Sequence, residues 1–279
     1  MAKKYIGVDL GGTNVRAGLV SDLKLLKLTA QTIRSRGTEE EVFADLCSAI
    51  DSVFTKEVRG IGVGVPSLLD RRTGTLLDTV NIPSWKKVPL KRKLEKKYRV
   101  PVTLDNDANC FALGEKYFGL GRGCENFVGL ISGTGLGSGI VANGRLVSGQ
   151  DCGAGEFGML PYRDSILEHY ASGQFFQKHN WEGSTLANEA AAGNSVALKI
   201  FAEYGSHLSY AVRAILYSLA PELIILGGSV SQSFPFFEQA LYQGLIDFGY
   251  PSILKKLKIK RSKLKDVAVL GAASLNYPS

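Results

Sequence analysis

Two observations place this chain in the α/β class. Short apolar runs with strand character alternate with longer stretches of helical spacing along nearly the whole chain, the pattern of strands and helices layered on one another. A segment built as strand, glycine-threonine turn and returning strand also occurs twice. A shift of 121 residues carries Gly12-Thr13 onto Gly133-Thr134, and Gly18-Leu19-Val20 onto Gly139-Ile140-Val141. Two similar halves predict two α/β domains enclosing a cleft, and a length of 279 residues suits two domains better than one core.

The first half, 1–117, opens with a strand over Ile6-Gly-Val-Asp9, a tight turn over Leu10-Gly-Gly-Thr-Asn14, a second strand over Val15–Val20 and a third over Leu25–Ile33. A helix is predicted over Thr38–Lys56: Val42, Leu46, Ala49, Ile50 and Val53 share one face, and Glu39, Glu40 and Glu41 suit its N-terminus. Gly60–Val65 reads as a strand whose glycines suggest close backbone approach, ended by Pro66. A loop spans Asp78–Trp85, and a basic helix spans Val88–Lys97. The β-branched run from Val102 ends in Asp105-Asn106-Asp107, and a helix follows over Ala108–Phe118.

The second half, 118–270, repeats the opening: strand Asn126–Ser132, turn Gly133–Gly137, strand Ser138–Val141. Asp151–Gly158 is a glycine-rich loop. Helices are predicted over Ser165–Lys178 and over Asn194–Leu219, the latter with Val196, Ile200, Tyr204, Leu208, Ala211 and Ile215 as its buried stripe. Leu223–Leu226 reads as a buried strand, Phe234–Ile246 as a helix and Val267–Leu270 as a last strand. A terminal helix over 271–279 is expected to pack back on the first domain.

Composition narrows the function. The hydrophobic fraction of 45% and charged fraction of 21% are those of an ordinary globular protein, and no apolar run approaches the ~20 residues of a membrane span. Met1-Ala2-Lys3-Lys4 leads directly into a strand that carries Asp9, unlike a secretory leader, so the expected location is the cytoplasm. Cys47, Cys110, Cys124 and Cys152 are scattered and read as buried thiols. The net charge of +7 comes mainly from Lys86–Lys97 and Lys255–Lys265. Basic residues alternate there with apolar ones, as on the solvated face of amphipathic elements, so neither a nucleic-acid nor a membrane partner is expected.

The chemistry-bearing residues sit at strand ends. A carboxylate that closes a buried strand and opens a helix lies where open α/β sheets place their ligands, which makes Asp107 a candidate general base. The alternative is that Asp105 or Asp107 caps the helix. Polyphosphate binding needs backbone N–H groups that no side chain obstructs, and Gly11-Gly12-Thr13, Gly133-Thr134-Gly135 and Gly227-Gly228-Ser229 all fit. None belongs to a Walker A loop, and no GxGxxG opens a helix after the first strand, so a Rossmann site is unsupported.

The stretch Val8-Asp-Leu-Gly-Gly-Thr-Asn-Val-Arg16 resembles the first phosphate motif of the actin-like ATPase superfamily and, more narrowly, the ROK family of bacterial sugar kinases and repressors. Leu104-Asp-Asn-Asp-Ala-Asn109, Gly133-Thr-Gly-Leu-Gly137, Gly153-Ala-Gly-Glu-Phe-Gly158, Leu167-Glu-His-Tyr-Ala-Ser-Gly173, Ile225-Leu-Gly-Gly-Ser229 and Leu270-Gly-Ala-Ala273 follow in the family's order. Each is weak alone; their order and spacing over Tyr5–Asn276 are specific. The resemblance implies two ribonuclease-H-like domains around a central cleft, ATP and Mg²⁺ as cofactors, and phosphorylation of a hexose, with glucose at its 6-hydroxyl the default. An N-acetylhexosamine or another hexose such as fructose or allose is the alternative. It implies Asp107 as general base and sugar contacts from Asn81, Asn106, Asp107, Glu156 and Glu168. Nucleotide contacts fall to Asp9, Gly11, Gly12, Thr13, Asn14, Arg16, Gly133, Thr134, Gly135, Gly227 and Gly228. Asp9 is placed to hold Mg²⁺ through waters, or else to hydrogen-bond the turn. A homodimer is what the family suggests.

The chain departs from the family at one place. The usual pattern has a histidine after the Glu-x-Gly and a cysteine-rich zinc loop beyond it. Here Met159 takes the histidine's place, and only Leu160-Pro-Tyr-Arg-Asp-Ser-Ile166 precedes Leu167. His169, His179 and His207 have no cysteine near them in sequence, so no zinc site is expected. Met159 suggests an apolar contact, such as an N-acetyl methyl, or simple packing of the loop. About four residues precede the first strand, too few for the helix-turn-helix of the family's repressors, so a kinase is expected rather than a regulator.

Overall fold

The structure, a computed structural model, describes residues 3–79 and 81–277. Contacts within the chain divide it into two compact units. One comprises Met1–Glu125, Gly139–Ala154 and Lys263–Ser279, the other Asn126–Ser138 and Gly155–Ser262.

In the first unit β1 (Lys4–Leu10), β2 (Asn14–Ser21) and β3 (Lys24–Thr32) form an antiparallel meander. Helix α1 (Glu39–Val53) leads into β4 (Val58–Val65), parallel to β1. The short antiparallel strands β5 (Ser67–Asp70) and β6 (Thr75–Thr79) precede α2 (Leu90–Tyr98), and β7 (Val102–Asn106) then runs parallel to β4 and passes into α3 (Asp107–Phe118). The sheet order is β3-β2-β1-β4-β7. Val42, Leu46, Ala49, Ile50 and Val53 of α1 are all buried, as their spacing predicts, and a reciprocal pair of hydrogen bonds between Thr38 and Glu41 caps the helix.

The second repeat supplies β8 (Phe127–Ser132), β9 (Leu136–Ala142) and β10 (Arg145–Val147). Next come a small hairpin of β11 (Pro161–Tyr162) and β12 (Ser165–Ile166), then α4 (Glu168–Ala171), α5 (Gly173–Lys178), α6 (Gly183–Ala191) and the long α7 (Ser195–Leu219). Strand β13 (Leu223–Gly227), α8 (Phe234–Gln243), α9 (Pro251–Lys256), β14 (Lys258–Arg261) and α10 (Val267–Ser274) complete the chain. The second sheet has the order β10-β9-β8-β13-β14, with β13 parallel to both β8 and β14. The two sheets thus share one plan: the three strands of each repeat lie in sequence, and two later strands add beyond the first.

Five expectations are corrected. Val267–Leu270 is not a strand; it is the first half of α10. The β-branched residues there mislead, because the helix is specified by close packing against glycine backbone. Gly7 of β1 and Gly62 of β4 leave no room for a Cβ under Val269 and Ala272, and Gly271 sits against the carbonyl of Cys110. The helix predicted over Ser165–Lys178 is instead β12, α4 and α5. It breaks at Ser172, whose extended backbone (φ −131°, ψ −175°) lets its hydroxyl cap α5. Val196 is 55% exposed rather than part of the α7 stripe, since the buried face enters the helix at the fully buried Ala197 and leaves Val196 on its flank. The helix predicted to Ile246 ends at Gln243, where Gly244 packs against Ser209. The loop predicted over Asp78–Trp85 begins inside β6. Val80 of that loop, Met1, Ala2 and the last two positions of the terminal helix, Pro278 and Ser279, lie outside the described residues. Among the described residues, no helix is long and apolar enough to cross a membrane.

Candidate active site

In the first unit the buried end of β7 separates three polar neighbours by role. Asp105 is fully buried, and its carboxylate is taken up internally. Oδ1 accepts from the Asn106 backbone N–H (2.8 Å) and from Asn109 Nδ2 (2.7 Å), and Oδ2 accepts from Ser148 Oγ (3.2 Å) with Arg71 at 3.9 Å. Asn106 is the N-cap of α3: its side-chain oxygen accepts from the N–H groups of Ala108 (2.7 Å) and Asn109 (3.4 Å). The capping considered for either aspartate therefore belongs to Asn106, whose carboxamide nitrogen is what it can still offer a ligand. Asp107 occupies the first helical position. It is partly exposed, and it accepts from the Ala108 N–H at 2.8 Å. A carboxylate there gains from the helix dipole.

The first glycine turn lies at the end of β1, which β4 separates from β7 in the sheet. The Gly11 N–H bonds the Asn14 carbonyl (2.9 Å), and Thr13 and Asn14 are exposed. Gly12 abuts the Asn81 side chain so closely that a Cβ would collide with it. Two fully buried apolar side chains, Ile82 and Trp85, anchor the loop that brings Asn81 there. Asp9 pairs across the hairpin with Arg16. Burial raises the pKa of Asp9 most, the Arg16 guanidinium opposes this, and Asp266 adds to the rise. Arg16 itself is ion-paired with Asp266.

In the second unit the other glycine turn is clasped from behind. Gly133 N–H bonds the Gly135 carbonyl (3.0 Å), and the Gly133 carbonyl accepts from Gly173 N–H (2.7 Å). Glu168, at the start of α4, accepts from the Leu136 N–H (2.9 Å) through Oε2 and from Gln174 Nε2 (3.2 Å) through Oε1, while Gln174 also bonds the Thr134 carbonyl (3.2 Å). Glu168 packs directly on Gly135, where a Cβ would displace it. Glu156 lies near enough to feel the Glu168 charge: partial desolvation raises its pKa first, and repulsion by Glu168 adds to it. Met159 is 57% exposed, so it packs in no core.

A pocket of about 830 Å³ opens beside this turn. Gly133 and Thr134 form one side, and Trp181, Asn188, Ser229 and Gln232 are among its other walls. Of these walls, sequence reasoning anticipated Gly133, Thr134 and Ser229. It missed α6, because the Asn180–Thr185 run of small and polar residues reads as loop; the helical spacing of Leu186 and Ala190 was the available signal. Gly227 and Gly228 are absent from the pocket wall. Gly228, with φ +81°, is pressed against the Ser132 backbone, so its lack of a side chain serves the turn that leaves β13 beside the end of β8. The pocket begins one residue later, at Ser229. Among the described residues no three His, Cys, Asp or Glu side chains are grouped to hold a metal.

Comparison with known proteins gives this arrangement a family. The chain is 32% identical to a glucokinase from Thermotoga maritima (98% of this chain, 96% of the relative) and 30% identical to an N-acetyl-D-glucosamine kinase from Photobacterium profundum (98% and 99%). Its structure superposes on a ROK family glucokinase from Streptomyces griseus, solved with glucose and AMPPNP, with a TM-score of 0.83, 26% identity and 98% of each chain covered. The two five-stranded α/β sheets are those of the actin-like ATPase fold. With the family profile matched over residues 5–277, the chain belongs to the ROK family.

Proposed function

We propose that the protein is an ATP-dependent hexose kinase that transfers the γ-phosphoryl group to a sugar hydroxyl, with the glucose 6-hydroxyl the first candidate. The observation that carries this reading is the separation of roles along Asp105-Asn106-Asp107. The first carboxylate is buried and held by internal hydrogen bonds, the amide caps the helix, and Asp107 stands partly exposed at the first helical position, where it serves as base. In this reading Asp107 accepts the hydroxyl proton as the sugar oxygen bonds to the γ-phosphorus and the bridging oxygen departs with ADP. Asn81, Asn106, Glu156 and Glu168 read further hydroxyls, carboxylates as acceptors and amides as either donor or acceptor. Gly11, Gly12, Thr13 and Asn14 offer one set of phosphate contacts and Gly133, Thr134 and Gly135 another, and the pocket beside Thr134 has room for the nucleoside.

Mg²⁺ favours few protein carboxylates together with waters and phosphate oxygens. Asp9 fits that habit as a single desolvated carboxylate beside the first turn, and the ion would supply charge neutralisation to the phosphates. Arg16, held by Asp266, acts on the nucleotide through its charge near the turn. We assign no zinc, because Met159 and the short segment to Leu167 replace the residues that would bind it.

An N-acetylhexosamine is the second substrate reading, favoured by the exposed thioether of Met159 beside Glu156. The test is ADP release with MgATP across glucose, fructose, mannose, allose, N-acetylglucosamine and N-acetylmannosamine. Turnover strongest on an N-acetyl sugar moves the assignment to the second reading. Tight sugar binding with no turnover on any of them identifies a non-catalytic sugar-responsive regulator and ends the kinase proposal.

A further inference from the structure

The hairpin of β11 and β12 is too small to hold itself. Its strands are two residues each, and an isolated two-stranded hairpin is marginal even when longer. Yet it joins Glu156 to Glu168: Leu160 and Leu167 close its base through a backbone hydrogen bond (2.9 Å), and Glu168 is the next residue. What secures it is a cluster of rings against α7. The Tyr162 hydroxyl is 3.0 Å from His207 Nδ1, and the Tyr162 ring stacks near Tyr170 (5.3 Å between centroids), Tyr210 (4.7 Å) and His207 (5.7 Å). Tyr170 and Phe175 pack on the same imidazole at 5.1 and 5.3 Å. Arg163, at the tip, lies over the rings of both Tyr162 and Tyr170. On the other strand Ser165 Oγ is 2.6 Å from His169 Nδ1.

His207 is 1% exposed, and its Nε2 has no hydrogen-bond partner, lying 3.5 Å from Glu203 Oε1. Burial, then the charge of Arg163, lower its pKa against the opposing pull of Glu203, so the ring is neutral near pH 7. A neutral ring that takes the Tyr162 hydroxyl proton on Nδ1 carries its own proton on Nε2, pointed at Glu203. A buried imidazole left with one poor contact costs stability that packing alone does not require. Its retained feature is the acceptor presented to the hairpin.

We propose that His207 is a positioning residue: through Tyr162 it clasps the β11–β12 hairpin to α7 and so fixes Glu168, and with it Glu156, for reading the sugar. This rests on the sugar-binding reading of those glutamates, and a readout on the hairpin itself separates the two. The experiment compares wild type with His207→Leu, His207→Asn and Tyr162→Phe by amide hydrogen exchange at Leu167 and by KM for the hexose and for MgATP. Asn places an oxygen near the Nδ1 position; Leu fills space without an acceptor. Leu is expected to speed exchange at Leu167 and to raise the hexose KM, each about tenfold, with a smaller rise in the MgATP KM because Glu168 also holds the N–H just after the second glycine turn. Tyr162→Phe, which keeps the ring, is expected to do the same to a smaller extent, and Asn to restore most of both. Unchanged exchange in Tyr162→Phe and His207→Leu overturns the clasp. Faster exchange with an unchanged hexose KM overturns its role in sugar reading. Absence of turnover by the wild type, with exchange responding as stated, fails the kinase reading and leaves the clasp standing.

Discussion

The two glycine-threonine hairpins descend from the same pattern and are held in different ways. At the first, Thr13 and Asn14 are exposed, and the turn is flanked by a loop whose anchors, Ile82 and Trp85, are apolar and distant in sequence. At the second, the turn is gripped by Glu168, Gln174 and Gly173, polar groups that bond its carbonyls and the N–H just after it. The first turn is thus positioned by packing and by backbone, the Ile33 N–H bonding the Thr13 carbonyl (2.9 Å), whereas the second is held in addition by the side chains of Glu168 and Gln174. In the proposed function Glu168 would join sugar reading to phosphate reading within one unit. Repeating a backbone pattern preserves the turn's shape, while each copy acquires its own support.

The largest effect expected concerns neither hairpin. Asp107→Asn keeps the shape of the side chain at the first position of α3 and removes its basicity. Turnover should fall by about 10²- to 10³-fold with the sugar dissociation constant within about threefold of wild type, measured by coupled ADP release and by calorimetry. Asp105→Asn provides the contrast. It alters a fully buried carboxylate that accepts from Asn106, Asn109 and Ser148, so it should lower stability as well as activity. Equal loss of turnover in both with no difference in melting temperature would contradict the separation of roles along the strand end.

The hairpins themselves are distinguished by single methyl groups. A Cβ at Gly135 would push on the Glu168 carboxylate, and one at Gly12 on the Asn81 side chain. If the second turn couples the two substrates, Gly135→Ala should raise the KM values for hexose and MgATP together, each by about tenfold. Gly12→Ala should raise the MgATP KM by about tenfold and change the hexose KM less, in proportion to how far Asn81 serves the sugar. Steady-state kinetics with each substrate varied in turn checks this, and a Gly135→Ala enzyme altered toward MgATP alone would dissolve the contrast.

How much of this was legible in the sequence follows the range of the forces involved. The repeat, the α/β alternation and the α1 stripe are local patterns, and they stand in the structure. So does the strand-end position of Asp105-Asn106-Asp107. What could not be read was set by partners far along the chain. Val267–Leu270 has the composition of a strand and becomes helix because Gly7, Gly62 and Gly114 admit its backbone closely. Ser172 breaks a helical pattern because the neighbouring Gly173 N–H is claimed by Gly133, forty residues earlier by sequence number. That Gly228 must lack a side chain because the Ser132 backbone lies against it was likewise set at a distance along the chain. The pocket wall from α6 was invisible because small polar residues carry no periodicity strong enough to announce a helix.

The smallest effect is a pH dependence, and it tests the link between the second hairpin and its glutamates. Glu156 is raised above its ordinary pKa by desolvation and then by Glu168. In the unfolded chain both influences vanish, so between the unfolded value, about 4.3, and the higher folded value the folded state binds more protons. Stability from this group is then fully present below about pH 4, and it is lost as pH rises through the folded pKa, because ionisation is what the fold opposes. Glu156→Gln is neutral throughout. Its melting temperature should exceed that of wild type slightly at pH 7, and the difference should close as pH approaches 4. The same substitution should weaken hexose binding by about three- to tenfold at pH 7, since an ionised acceptor is replaced by a neutral one. Glu168→Gln in the wild-type background keeps Glu156 and removes the source of the repulsion, so the pH dependence that Glu156 contributes should shrink there. Thermal melts of the three variants from pH 4 to 8 measure this. A melting difference for Glu156→Gln that does not vary with pH, or that is insensitive to Glu168→Gln, would show that the two carboxylates do not sense each other, and the second hairpin would then be braced by Glu168 without reference to its acidic neighbour.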